Sequence, residues 1–146
     1  MSQVDDAAHL FNGGKSCSQA VFAAFAPSLG VNQDQALRLA SGFGGGMRIG
    51  GACGAATGAV LALSLRYGGD GSAGSREMIA AAVERFYARF VDEVGATDCP
   101  AILGCDFRTE QGKAVMEEQG LRESICLEAV RAAASILAEM LDLDSL

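Results

Sequence analysis

Apolar residues recur every three or four positions along most of the chain, the spacing of helices with one buried face. Val4, Ala7, Ala8 and Phe11 share a face of a short first helix that Asn12-Gly13-Gly14 ends. Ser16-Cys17-Ser18-Gln19 reads as a Ser-x-x-Gln capping box, placing Cys17 at the first position of a second helix. Ala20, Val21, Ala24 and Phe25 continue its apolar face until Pro27 and Gly30 close it. Asn32-Gln33-Asp34-Gln35 opens a third helix with Ala36, Leu37 and Ala40 inward. Between Ala52 and Leu65 the rhythm disappears, because only Thr57 and Ser64 are polar. A helix apolar all round is buried on every side, so this one is predicted to be the centre of the fold.

Beyond it, Ser75 is the expected cap of a long helix carried by Ile79, Val83, Phe86, Phe90 and Val94 and stopped by Gly95. Thr97-Asp98-Cys99-Pro100 restarts helix, with Asp98 as N-cap and proline tolerated in the first turn. Thr109 to Gln119 reads as a more polar helix or loop, and Glu110 to Glu123 as an exposed acidic face. The last helix, from about Arg122 to Leu143, turns Cys126, Ala129, Val130, Ala133, Ile136, Leu137 and Met140 to one side, so Cys126 is expected to point inward. Asp142 and Asp144 read as solvated charges. No period-two alternation, hairpin signal, long linker or internal repeat interrupts the pattern. The predicted architecture is all-α, a compact single-domain helical bundle over residues 1–146 around a buried Gly/Ala-rich central helix.

Composition narrows the function. With seven Phe and two Tyr among 146 residues, the core relies on small aliphatic side chains and close helix contacts. A net charge of −7 argues against nucleic acid, whose binding is mostly neutralisation of phosphate by Lys and Arg. Only seventeen residues separate Arg48 from Arg66, and Gly50, Gly51, Gly54 and Gly58 break them, so no membrane span is expected. Met1 to His9 lacks the basic start and apolar run of a signal peptide, which makes a cytoplasmic, thiol-reducing setting the expectation.

In that setting five cysteines invite a chemical reading. Cys17, Cys53, Cys99, Cys105 and Cys126 contain no Cys-x-x-Cys pair, which departs from zinc-finger, thioredoxin and ferredoxin spacings. Cys17, Cys53 and Cys99 instead begin predicted helices, where unpaired N–H groups and the helix dipole favour thiolate or cluster charge. Gly54 and Gly58 lie four apart and leave the backbone bare, admitting either a neighbouring helix or a cofactor. Arg48 is the one cation nearby, available to a thiolate, a cluster or a carboxylate. The glycine run Gly42 to Gly51 follows a helix rather than a strand and lacks a Gly-Lys-Ser/Thr, so it reads as a tight connection, not a nucleotide loop. His9 stands without a second histidine and reads as structural.

Cys17 within Ser-Cys-Ser-Gln-Ala-Val, Cys53 within Gly51-Ala52-Cys53-Gly54-Ala55-Ala56-Thr57-Gly58, Cys99 ahead of Leu103-Gly104-Cys105, and Cys126 opening the last helix form a recognisable series. It resembles the C_GCAxxG_C_C family of redox-active proteins over nearly the whole chain. The resemblance implies that Cys17, Cys53, Cys99 and Cys126 are the signature cysteines and leaves Cys105 outside the set. A related domain in split-Soret cytochrome c is associated with an iron–sulfur centre. The resemblance thus implies an iron–sulfur cluster on the four cysteines, most simply a two-iron one, with Gly54, Gly58 and Arg48 beside it and an unidentified redox partner protein. Without Cys-x-x-Cys-His, no covalent haem is expected. Two alternatives stand beside this reading. One is metal-free thiol–disulfide redox, with Cys53 attacking, Cys17 or Cys126 resolving, and Cys99 with Cys105 as a second pair. The other is a non-catalytic helical interaction domain with structural cysteines. Small-residue helix faces also make a homodimer plausible, and whether the chain is an enzyme is left open.

Overall fold

Helices and turns follow the caps written into the chain. The computed structural model describes residues 2–145, with side-chain surroundings for residues 2–142. Helix α1 (Gln3–Asn12) is capped by Ser2. Helix α2 (Cys17–Phe25) begins with the expected capping box, the Ser16 hydroxyl accepting from the Gln19 N–H and the Gln19 side chain accepting from the Ser16 N–H. A 3₁₀ turn, Ala26–Leu29, ends at left-handed Gly30. Helix α3 (Gln33–Leu39) is capped by Asn32. Then come α4 (Gly54–Tyr67), α5 (Ala73–Val94), α6 (Cys99–Leu103), α7 (Glu110–Gln119) and α8 (Leu127–Ser145). Among the described residues there is no strand, only one isolated antiparallel bridge between Ala52 and Asp98. No described helix is long and apolar enough to cross a membrane.

Helix α4 packs on α2, α5 and α8, while α1 lies across α2 and α8. Phe11, Phe22, Phe25, Phe86 and Phe90 fill the spaces between helices, and Leu63, Val130, Ile136 and Leu137 complete the buried cluster. Each such side chain contributes about 1.5–3 kcal/mol by leaving water. The contact between α2 and α4 is backbone to backbone: a Cβ on Gly58 would stand 2.7 Å from the Ser18 carbonyl oxygen, and one on Gly54 would stand 3.1 Å from Cys17 Cβ. Buried Ser18 donates its hydroxyl to the Ala40 carbonyl, which ties α2 to the end of α3.

Two expectations need correction. The central helix is not buried on all sides along its length: Thr57, Val60 and Leu61 are half-buried, and Ser64, Leu65 and Arg66 are exposed as the last turns of α4 lead to the Gly68-Gly69 loop. Helix α5 is capped by Ser72 rather than Ser75, since the Ser72 hydroxyl accepts the Ser75 N–H while Asp70 accepts the Ser72 N–H. Of the two readings open for Thr109 to Gln119 the structure shows the helix, Glu110–Gln119, capped by Thr109. Cys126, expected to point inward, is half-buried at the end of a widened turn, Arg122–Cys126, that precedes α8, and packs against the core. Asp142 is exposed, and the side chain of Asp144 lies outside the described residues.

Candidate functional site

The loop from Gly44 to Cys53 and the start of α6 build the site together. Gly45, Gly46, Met47 and Arg48 adopt left-handed φ angles of 63°, 60°, 62° and 67° in succession. Glycine tolerates this region, but Met47 and Arg48 are strained there, at a cost on the order of 1–3 kcal/mol each. The turn closes with the Gly51 N–H donating to the Gly46 carbonyl at 2.8 Å. Residues 51–53 then run antiparallel to residues 97–99. The Cys53 N–H donates to the Thr97 carbonyl at 2.7 Å, and the Cys99 N–H to the Gly51 carbonyl at 3.0 Å. This bridge brings together two cysteines forty-six positions apart in the chain.

Cys53 is the N-cap of α4, Cys17 and Cys99 are the first residues of α2 and α6, and Cys126 lies just before α8. Cys53 has Cys99 as its neighbour and Cys17 has Cys126, and none of the four is in a disulfide. Within the first pair, the Cys99 hydrogen bond holds Cys53 below the ordinary thiol range against the opposing effect of burial. The N–H groups of Ala55 and Ala56 add to this, although neither closes a capping hydrogen bond to the sulfur. Cys99, as donor, is pushed up, first by that same bond and then by burial. Within the second pair the Cys17 hydrogen bond lowers Cys126, and Arg122 reinforces it. Cys17 is raised well above the thiol range by donating to Cys126, by burial, and by the charges of Cys53, Cys126 and Cys99. The pairs therefore feel each other: they are two halves of one site.

A cavity of about 250 Å³ opens over three of these cysteines, Cys17, Cys99 and Cys126, with Arg48 and Arg122 also in its wall. Cys53 is not in its wall and is only 5% exposed. Among the described residues no three His, Cys, Asp or Glu side chains are drawn in tightly enough to enclose one metal ion. Cys105 stands apart, its thiol directed at the Gly112 carbonyl at 3.8 Å. His9 is exposed on α1. Gly54 and Gly58 are near the site but face Cys17 and Ser18 of α2, so the close approach they permit is taken by a helix. They set how closely α2 and α4 approach beside Cys17 and Cys53.

Residues 15–140 match the family described as "Putative redox-active protein (C_GCAxxG_C_C)". The chain belongs to this family. No curated protein and no solved structure matches it. The match to the C_GCAxxG_C_C family spans Cys17, Cys53, Cys99 and Cys126, the four that the fold gathers.

Three neighbours of the site went unread in the sequence. Arg122 donates to the carbonyls of Phe11 and Lys15 at 2.9 and 3.1 Å and lies over the Phe11 ring at 3.8 Å, which fixes its charge beside Cys126. Its position four residues before Cys126 was a usable signal, since such residues share a helical face. Phe107 reaches Gly45 from a loop, and no periodicity marks it. Tyr87 is raised above the phenol range chiefly by burial and then by the charge of Cys53; only its place on the face of α5 that meets α4 pointed there.

Proposed function

We propose that this chain is an electron-transfer or redox-sensing protein that holds a two-iron iron–sulfur cluster on Cys17, Cys53, Cys99 and Cys126. The observation carrying the reading is the division of four neighbouring thiols into two pairs, three of them lining one cavity. A two-iron cluster takes two cysteines per iron, which suits two pairs better than a single tetrahedral ion would, and no closed quartet for such an ion is present among the described residues. The donor set fits in charge as well, since Arg48 and Arg122 face the space and no carboxylate lines it. When bound, the cluster would supply one-electron chemistry. The chain's own part is to hold four thiolates, to offset their charge with the two arginines and the start of α4, and to keep water from Cys53. An unidentified redox partner protein would exchange the electron. Iron and acid-labile sulfide in matched amounts in protein purified without oxygen, both lost in Cys53→Ser, is the expected result. Metal-free protein after reconstitution with iron and sulfide would refute it.

A second reading is metal-free thiol–disulfide redox, favoured by the two free thiols that neighbour each other in each pair. The pairing supported is Cys53 with Cys99 and Cys17 with Cys126, not the pairings suggested by sequence order. Each disulfide would form as two thiols give up two electrons and two protons to an oxidant such as a low-molecular-weight disulfide. Cys53 and Cys126, the more acidic member of each pair, would attack. Peptide mapping after mild oxidation distinguishes these pairs from the two other connectivities that four cysteines allow.

A further inference from the structure

The space over the thiols continues outward. The 250 Å³ cavity shares Phe107, Met116 and Arg122 with an outer groove of about 420 Å³ whose rim carries Lys113, Glu117 and Glu123. The charged side chains lining the inner cavity are Arg48 and Arg122, in a chain where 18 Asp and Glu outnumber 11 Lys and Arg. Arg48 makes no ion pair among the described residues. Its position is set by the left-handed turn: a Cβ on Gly45 would meet Phe107 Cζ at 3.1 Å and Arg48 Cδ at 3.8 Å, so the arginine stem and the phenyl ring converge over that glycine. Arg122 is anchored through Phe11 and Lys15, which leaves its charge fixed at the inner wall. Leu103, Phe107 and Met116 supply apolar wall between the two cations and the rim.

We propose that this cavity and groove bind a small organic monoanion with an apolar body, its carboxylate on Arg48 and Arg122 and its body between Phe107 and Met116. Guanidinium groups recognise a carboxylate with directed, charge-assisted hydrogen bonds, and aromatic and thioether surfaces take up a flat apolar group. Glu117 and Glu123 at the rim disfavour a polyanion such as a nucleotide. Use of the ligand as a redox substrate rests on the function proposed above; its binding does not.

Benzoate is the probe and benzamide its neutral counterpart, each titrated by NMR into the reduced metal-free protein and into the iron–sulfur-loaded protein. Benzoate should bind saturably, with shifts at Phe107 and Met116, and benzamide should not. Arg48→Ala should weaken benzoate at least about tenfold, the loss expected for one charged hydrogen-bonding partner, and Arg48→Lys should recover part of it. Met116→Glu, which places a like charge in the groove without touching the turn, should also weaken binding. Equal binding of benzamide, no saturation in the metal-free protein, or indifference to both Arg48→Ala and Met116→Glu would overturn the proposal. Benzoate binding by a protein that loads no cluster would support this site and refute the iron–sulfur function; a protein that loads the cluster but whose metal-free form is blind to benzoate would do the reverse.

Discussion

Replacing Gly58 by alanine puts one methyl group where the fold has none to spare. In a solvated helix interior the change gains about 1 kcal/mol, because alanine is the better helix former. Here the added Cβ would lie 2.7 Å from the Ser18 carbonyl oxygen and 3.1 Å from its Cα, and both are backbone atoms that cannot swing aside. Restoring ordinary contact at 3.4 Å requires α2 to retreat from α4 by about 0.7 Å. Overpacking of a close contact costs about 1–3 kcal/mol, and a backbone obstacle belongs at the upper end. The net expectation is a loss of about 1–2 kcal/mol, or roughly 3–6 °C in melting temperature for a chain of this size. Gly74→Ala is the control: Gly74 is exposed in α5 with nothing within 4 Å of the added Cβ, so it should gain about 0.5 kcal/mol. The second readout is iron. Since α2 carries Cys17 and α4 carries Cys53, the retreat separates the two pairs, and Gly58→Ala should retain less iron per protein than wild type although no thiol is lost. A Gly58→Ala protein that melts at or above wild type with full iron content would refute both the packing argument and the assignment of Gly58 as spacer.

Cys105→Ser should keep full iron content, whereas serine at Cys17, Cys53, Cys99 or Cys126 should abolish it, measured as iron per protein after anaerobic reconstitution. Ser16→Ala removes the cap of α2, at a cost of about 1 kcal/mol, and should lower the melting temperature by about 3 °C. In the reduced, metal-free protein, Cys53 and Cys126 have lowered values, so their stabilisation grows as pH rises toward the unfolded thiol value of about 8.5. Cys17 and Cys99 have raised values, so theirs is complete below that value and is lost above it. Thermal melts across pH should therefore show a stability maximum near the ordinary thiol pKa, with the alkaline fall reduced in Cys17→Ser; a monotonic profile would contradict the donor assignments.

Much of the fold was legible because helix starts are local events. Ser16 with Gln19, Asn32 and Asp98 cap the helices they were expected to cap, since each needs only a side-chain oxygen and an N–H three residues on. Ser75 misled because Ser72 offers the same chemistry one turn earlier, and Asp70 decides between them. Leu65 misled because apolar composition says how much of a helix prefers burial, not how far the bundle extends along it. At the site, helix-start cysteines marked three of the four ligand candidates, but Arg122 and Phe107 arrive through contacts that no local pattern encodes.

The sequence by itself determined an all-α chain, a net negative charge, and a set of cysteines placed at helix starts. Those properties follow from periodicity, charge and capping, which act over a few residues. Only the tertiary structure decided which cysteine meets which. The Cys53–Cys99 pair depends on the bridge between residues 51–53 and 97–99, and the Cys17–Cys126 pair on α2 and α8 converging at one end of the bundle. Pairing is a property of long-range packing, and two bare glycines on α4 set how close that packing comes.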